Sequence, residues 1–424
     1  MLNRREFLAT SAASATLLAA PAFAAPAVPK KKRLAVVTTL WTYKSHAWHM
    51  AERFLHGYPI DGEWHEPGLE VVSAYVDQRP EGDLSAGRAK EFGFPIYKTV
   101  GEALRCGGKK LAVDAVLLIG EHGDYPKNEF GQKLYPRYEL FSKIVEVFRN
   151  DKAAVPVFND KHLSWNFDYA KEMVEASREL GFAFQAGSSL PVTWRMPSVD
   201  MPYGAEVTEA MGIANGPIDI YDFHAMEMIQ SMLERRKGGE TGVAEVMTFQ
   251  GKALWQAMDK GTLPGDGWSP QLFEACLSRS QTLAQPESFS HRYPTTEQIR
   301  EKVTDPIYYW IKYRDGTIAH LLLLNGLVGD FTFAAHVKGR KKPLSTLFYL
   351  PPTPNVTYSA ALMHNAEKMF LSGKPEYPVE RTLLTSGIIQ SCLQSLSKGS
   401  GYGQATPHLD VKYTAPKVSP FFKS

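Results

Sequence analysis

Apolar and polar positions divide the chain into two textures. In the first, short continuous apolar runs alternate with helical spacing: residues 34–38 read as a strand, 46–56 as a helix, 69–76 as a strand, 85–92 as a helix and 113–119 as a strand. The rhythm continues with helical spacing over 141–150, a strand at 155–158, a helix at 167–180 and a strand at 182–185. Strands that are apolar on both faces and separated by helices imply parallel pairing, because crossover helices cover such a sheet on both sides.

Beyond Pro191 the pattern changes. Residues 242–251 and 307–313 alternate like half-buried strands, Arg314-Asp315-Gly316-Thr317 supplies a hairpin turn, and 318–324 returns. Residues 344–350 add a strand stopped by Pro351-Pro352, and helical stretches follow at 361–371 and 379–396. The predicted fold is α/β: a Rossmann-like parallel sheet domain over 33–190, then an α/β domain with a largely antiparallel open sheet over 191–400. The tail, 401–424, has no strong pattern.

The amino terminus stands outside this scheme. Arg4-Arg5-Glu6-Phe7-Leu8, a mildly apolar alanine-rich stretch, Pro21 and Ala22-Phe23-Ala24 read as a twin-arginine export signal over 1–24, with 25–32 as a linker. The mature chain is therefore expected in the periplasm, with no membrane partner after cleavage. Composition fits two globular domains, with 44% apolar and 22% charged residues in 424. A net charge of +2, from 47 basic and 45 acidic residues, leaves no field that would gather nucleic acid or an anionic membrane. The expected partner is a small molecule. Cys106, Cys276 and Cys392 fit neither zinc spacing nor an even disulfide framework and are expected as buried thiols.

In open parallel sheets, ligands lie outside the carboxyl ends of the strands where the crossover direction reverses. Those ends carry Thr38 to His46, then Asp77, then Glu121-His122-Gly123-Asp124, then Asp160-Lys161-His162. Lys161, directly after a buried strand, is placed to orient a hydroxyl or lend a proton. Farther on, Asp219 and His224 share one face near the start of a helix, beside Asp222, where a carboxylate can hold an imidazole as a general base. Two other readings stay open. Glu121, His122 and Asp124, with His46 or His162, would be ligands of a divalent metal in a dinucleotide-independent sugar lyase, hydrolase or epimerase. Alternatively the chain is a non-catalytic sugar-binding protein whose tryptophans, including Trp41, Trp48, Trp165 and Trp194, stack on sugar rings.

In this order the segments resemble the family of glucose–fructose oxidoreductase and inositol dehydrogenase (Gfo/Idh/MocA). The resemblance spans nearly the whole mature chain. It rests on the strand ending at Thr38 with His46-Ala47 after it, on residues 113–119, and on Asp160-Lys161-His162-Leu163 where the family has Glu-Lys-Pro. Phe223-His224 and the run 376–413 complete it. It implies an NAD(P) cofactor, hydride transfer on a sugar or polyol derivative, Lys161 in the substrate site, His224 as the catalytic histidine, and a homo-oligomer.

The family's Gly-x-Gly-x-x-Gly falls on Thr38, Leu40 and Tyr43, so all three glycines are replaced. In the family one glycine allows a tight turn, the next lets backbone approach the pyrophosphate, and the last lets helix pack closely on strand. What remains for a cofactor is the helix amino terminus after Tyr43 with Lys44 and Ser45, together with His46, Glu121 and, for a ribose hydroxyl, Asp77. The aspartate expected four residues before His224 is Ile220, with Asp219 and Asp222 as substitutes. Either the loop takes a dinucleotide by a widened turn, or it lines a pocket repurposed from one.

Overall fold

The computed structural model describes residues 30–284, 294–351 and 356–423. The twin-arginine segment, most of the linker and Pro352 lie outside them. Six parallel strands form the first sheet, in the order Ile96–Tyr97, Leu69–Val76, Lys32–Thr38, Ala115–Ile119, Val157–Asp160, Phe184–Gly187. The first strand thus sits at the centre, and the direction of crossover reverses between it and Ala115–Ile119.

Alternation along that strand sorts its side chains onto two faces. Leu34 and Val36 pack with Met50 and Phe54 of the helix His46–His56 and with Ala361 and Phe370 of the helix Tyr358–Ser372. Ala35 and Val37 pack with Phe141, Ile144 and Phe148 of Arg137–Asp151. A helix from late in the chain therefore returns to cover the parallel sheet. Helix ends follow local chemistry. Ser45 caps His46–His56 by accepting from the Trp48 amide, and Gly57 ends it at φ 77°.

The second sheet has eight strands among the described residues, in the order Gly403–Ala405, Val243–Gln250, Ile307–Tyr313, Ile318–Leu323, Val207–Ala214, Phe331–Val337, Leu344–Tyr349, Trp194–Met196. All its pairs are antiparallel except Val207–Ala214 with Ile318–Leu323. The tail contributes Gly403–Ala405 as an edge strand, which its sequence does not announce.

One face of this sheet packs on the helices Tyr221–Leu233 and Glu380–Lys398. The other meets Leu254, Leu272, Cys276 and Ile299 from three helices between residues 252 and 302, through Tyr308, Trp310 and Leu322. Cys276 and Cys392 are buried as expected, whereas Cys106 is only half-buried. Among the described residues no helix is long and apolar enough to cross a membrane.

Candidate active site

Four strand-end loops of the first sheet meet the start of the helix Tyr221–Leu233 around Lys161. This residue follows the strand Val157–Asp160 with φ 67°, in the left-handed region where a side chain is uncommon. Its amide donates to the Gly187 carbonyl at 3.2 Å. The side chain is 2% exposed, with Nζ donating to the Ile220 carbonyl at 3.3 Å and 4.0 Å from Glu121 Oε1. Ile220 stands where the family resemblance calls for an aspartate, so the lysine reaches backbone there.

Glu121 is shared with Arg137, which is buried beneath it. The approach depends on Gly120, since a β-carbon there would lie 2.5 Å from Arg137 Cγ. Burial alone would push the Glu121 carboxyl up, but Lys161 and Arg137 outweigh it and hold the group below the ordinary carboxylate range.

His224 is half-buried, with Nδ1 2.6 Å from Ser188 Oγ. Burial, Lys161 and His46 all depress its protonation, so the ring is neutral near pH 7. Asp219 does not hold it. The helix begins at Tyr221, leaving Asp219 outside with φ 64° and its carboxylate accepting from Gln132 Nε2 at 3.2 Å and the Lys133 amide at 3.1 Å. Burial and the neighbouring Asp222 push the Asp219 carboxyl up to about 7. Asp222 is also taken, accepting from the Phe223 amide and the Tyr309 hydroxyl within the core.

Three imidazoles, of His46, His49 and His122, meet at the start of the helix His46–His56. His46 opens its helix with Nδ1 2.5 Å from Asp160 Oδ2, and its ring packs edge-on against His49 at 4.7 Å and His122 at 4.9 Å. Burial and His46 hold His122 down to about 4. His162, in the place of a proline, stacks on Phe223 at 4.2 Å and lies 3.8 Å from Asp219.

Buried polar atoms without a hydrogen-bond partner gather in this region. They are Nδ1 of His49 and of His122, both ring nitrogens of His162, Nε of Arg137 and Oδ1 of Asn159. Interior polar atoms are ordinarily paired, so such a group marks a place for a polar ligand or ordered water.

Other expected site residues lie differently. Glu121 turns inward to Arg137 while Asp124 is exposed, so the metal set expected with His122 does not converge. Among the described residues no three His, Cys, Asp or Glu side chains are placed to hold a metal ion. Thr38 and Leu40 are buried, Thr38 Oγ1 donating to the Leu40 carbonyl, whereas Tyr43 is 60% exposed against the edge of Trp48. Trp41 is core, not a sugar platform. Asp77 is exposed, yet one oxygen accepts from the Tyr75 hydroxyl at 2.6 Å and the other from Tyr125 at 2.7 Å.

Ser188, Arg137 and Tyr75 escape the sequence reading because only the fold brings them to the rim. His49 had a signal in its spacing of three from His46. A separate cavity of about 520 Å³, between Trp255, Trp268 and Phe273, is lined by none of the strand-end residues.

Solved dehydrogenases share this fold. GenD2 from gentamicin A biosynthesis, in complex with NAD, is 12% identical over 89% of this chain and 96% of its own, with a TM-score of 0.55. A probable dehydrogenase from Thermotoga maritima is 13% identical over 89% and 99%, at 0.52. A myo-inositol dehydrogenase from Corynebacterium glutamicum is 12% identical over 88% and 98%, at 0.50. No family model matches the sequence, and no curated protein matches it significantly. The likeness is one of fold: a Rossmann-like parallel sheet followed by a mostly antiparallel one, the architecture of the Gfo/Idh/MocA dehydrogenases.

Proposed function

We propose that this protein is a carbohydrate-directed enzyme of oxidoreductase fold, acting on a sugar or polyol derivative in the crevice around Lys161 and His224. The carrying observation is an imidazole held by Ser188, its protonation depressed by burial and by the buried Lys161, whose Nζ lies 4.0 Å from Glu121. With Nδ1–H donating to Ser188, His224 Nε2 presents its lone pair and can take a proton from a substrate hydroxyl. Lys161 donates to the same oxygen or its neighbour and stabilises the negative charge that develops. Oxidation of the carbinol carbon, the chemistry implied by the family resemblance, would in addition need a hydride acceptor.

The test uses a panel of hexoses, hexuronates and inositols, with Lys161→Met and His224→Ala beside the wild type. Turnover of at least one compound, lost in both variants, supports the reading. Affinity for a sugar that both variants keep, without turnover in any, supports a sugar-binding protein instead.

Export through the twin-arginine route belongs to the same reading, on the strength of Arg4-Arg5 and Ala22-Phe23-Ala24. Sequencing the amino terminus of periplasmic protein checks cleavage near Ala24. Self-association follows from the family resemblance alone, and light scattering on the purified chain decides it.

A further inference from the structure

Resting on the Lys161–His224 crevice as the active site, we infer that this chain has closed the dinucleotide crevice of its fold and works there without NAD or NADP. In this architecture the pyrophosphate lies on the first strand-to-helix turn and the helix amino terminus, with a ribose on the acid that ends the next strand. Groups of the chain itself engage part of each of those places.

The turn is bridged across the switch point. Thr39 Oγ1 donates to the Glu121 carbonyl at 2.6 Å and the Thr39 amide to Ile119 at 3.1 Å, joining the first strand-end loop to the third. The amides of Asp77 and Gln78 extend the strand ladder onto the Thr38 and Thr39 carbonyls at 3.0 and 2.7 Å, and beyond it the Leu84 amide ties the second loop to the Trp41 carbonyl at 2.7 Å. Gln78 also clamps the third loop, its side chain donating to the Asp124 carbonyl at 3.0 Å and accepting from the Asp124 amide at 2.9 Å. Three loops that a dinucleotide would have to part are thus tied by hydrogen bonds.

The recognition groups are partly engaged. Ser45 Oγ accepts from the Thr42 amide and from the Trp48 amide, one donor of the helix start. Each oxygen of Asp77 holds a tyrosine hydroxyl, so a ribose would have to share the exposed carboxylate with Tyr75 and Tyr125. Closure therefore comes from the side chains of Thr39, Gln78 and Tyr125 and from the Leu84 amide on Trp41. It does not come from Tyr43, which replaces a glycine of the family pattern but points to solvent.

Chemistry at Lys161 and His224 is then redox-neutral. His224 takes a proton from carbon next to a carbonyl or acid group, and the electron pair is held as an enolate against Lys161. The pair then expels a β-substituent, which leaves with the proton that His224 has taken, giving an unsaturated product. This course needs no oxidant.

The experiment takes the full chain as purified from the periplasm. It is denatured and searched for nicotinamide by mass spectrometry, and the native protein is titrated with NAD and NADP by calorimetry. The expected result is no nicotinamide and no saturable binding with a dissociation constant below about 1 mM, the weak limit of specific recognition. Stoichiometric nicotinamide, or saturation below that limit, overturns the inference. Both measurements read nucleotide and not turnover, so failure of the active-site reading, seen as Lys161→Met without effect on sugars, stays distinguishable.

Discussion

His46 Nδ1 stands 2.5 Å from Asp160 Oδ2, tying the start of the first helix to the end of the strand Val157–Asp160. The carboxylate fixes the ring, which packs edge-on against His122. Replacing Asp160 by Asn keeps the shape but not the charge. For the substrate turned over by the wild type, kcat is expected to fall at least tenfold, about 1.4 kcal/mol, with KM changed less. Equal loss in KM alone would make Asp160 a binding residue.

Ser188→Ala tests the other imidazole. Without the hydroxyl, His224 Nδ1 loses its partner and the ring its fixed orientation. Turnover is expected to drop about tenfold to a hundredfold, within the usual worth of a positioned general base. Ser188→Thr, which keeps the hydroxyl, is expected to restore part of it.

Stability should depend on pH with opposite signs at two residues. His122 is held down to about 4 from an ordinary 6.5, by burial and His46, so between those values the unfolded chain binds a proton that the folded chain does not. Folding stability from this group is full above 6.5 and is lost as pH falls toward 4, by up to about 3 kcal/mol. Asp219 is raised to about 7 from 3.8, chiefly by burial, so its contribution is full below 3.8 and is lost as pH rises through 7. Urea unfolding at several pH values, wild type against His122→Gln and Asp219→Asn, reads each as a difference. The first difference should shrink on acidification and the second should grow in the variant's favour toward pH 7.

The buried pair of Arg137 and Glu121 gives a larger effect. Arg137→Met leaves a carboxylate buried with only Lys161 nearby, and a loss of about 3–5 kcal/mol is expected from the urea midpoint. Adding Glu121→Gln should recover part of it, and simple addition of the two losses would deny the coupling.

Much of the fold is legible in the sequence where the caps are local. Predicted and observed ends coincide for His46–His56, Leu69–Val76, Ser85–Phe92, Phe167–Leu180 and Ile307–Tyr313. Ser45, Asn166 and the glycines at 57, 93 and 181 punctuate three of these helices. Val207–Ala214 escapes the pattern because it is central in its sheet and its inner half is buried on both faces, which erases alternation. The helices over 252–302 cover a sheet face that the sequence presents as half-exposed. In the site, Lys161 and His224 follow from the strand-end rule, while Ser188 on His224 and Tyr125 on Asp77 are pairings between distant segments that no spacing encodes.

Gly387 separates propensity from packing. It lies inside the helix Glu380–Lys398, where Ala would ordinarily gain up to about 1 kcal/mol. Here a β-carbon would sit 2.4 Å from Leu409 Cδ2 and 2.6 Å from Phe167 Cδ2. Gly387→Ala is therefore expected to destabilise by about 1–3 kcal/mol, the usual cost of overpacking. A stabilised variant in chemical denaturation would show that the contact is loose.

Calorimetric titration of the wild type, Lys161→Met and His224→Ala with the hexose, hexuronate and inositol panel tests the central claim most directly. The account predicts saturable binding of at least one compound, weakened at least tenfold by Lys161→Met, with turnover of that compound absent from His224→Ala. Binding and turnover indifferent to both substitutions would place the function elsewhere on the molecule.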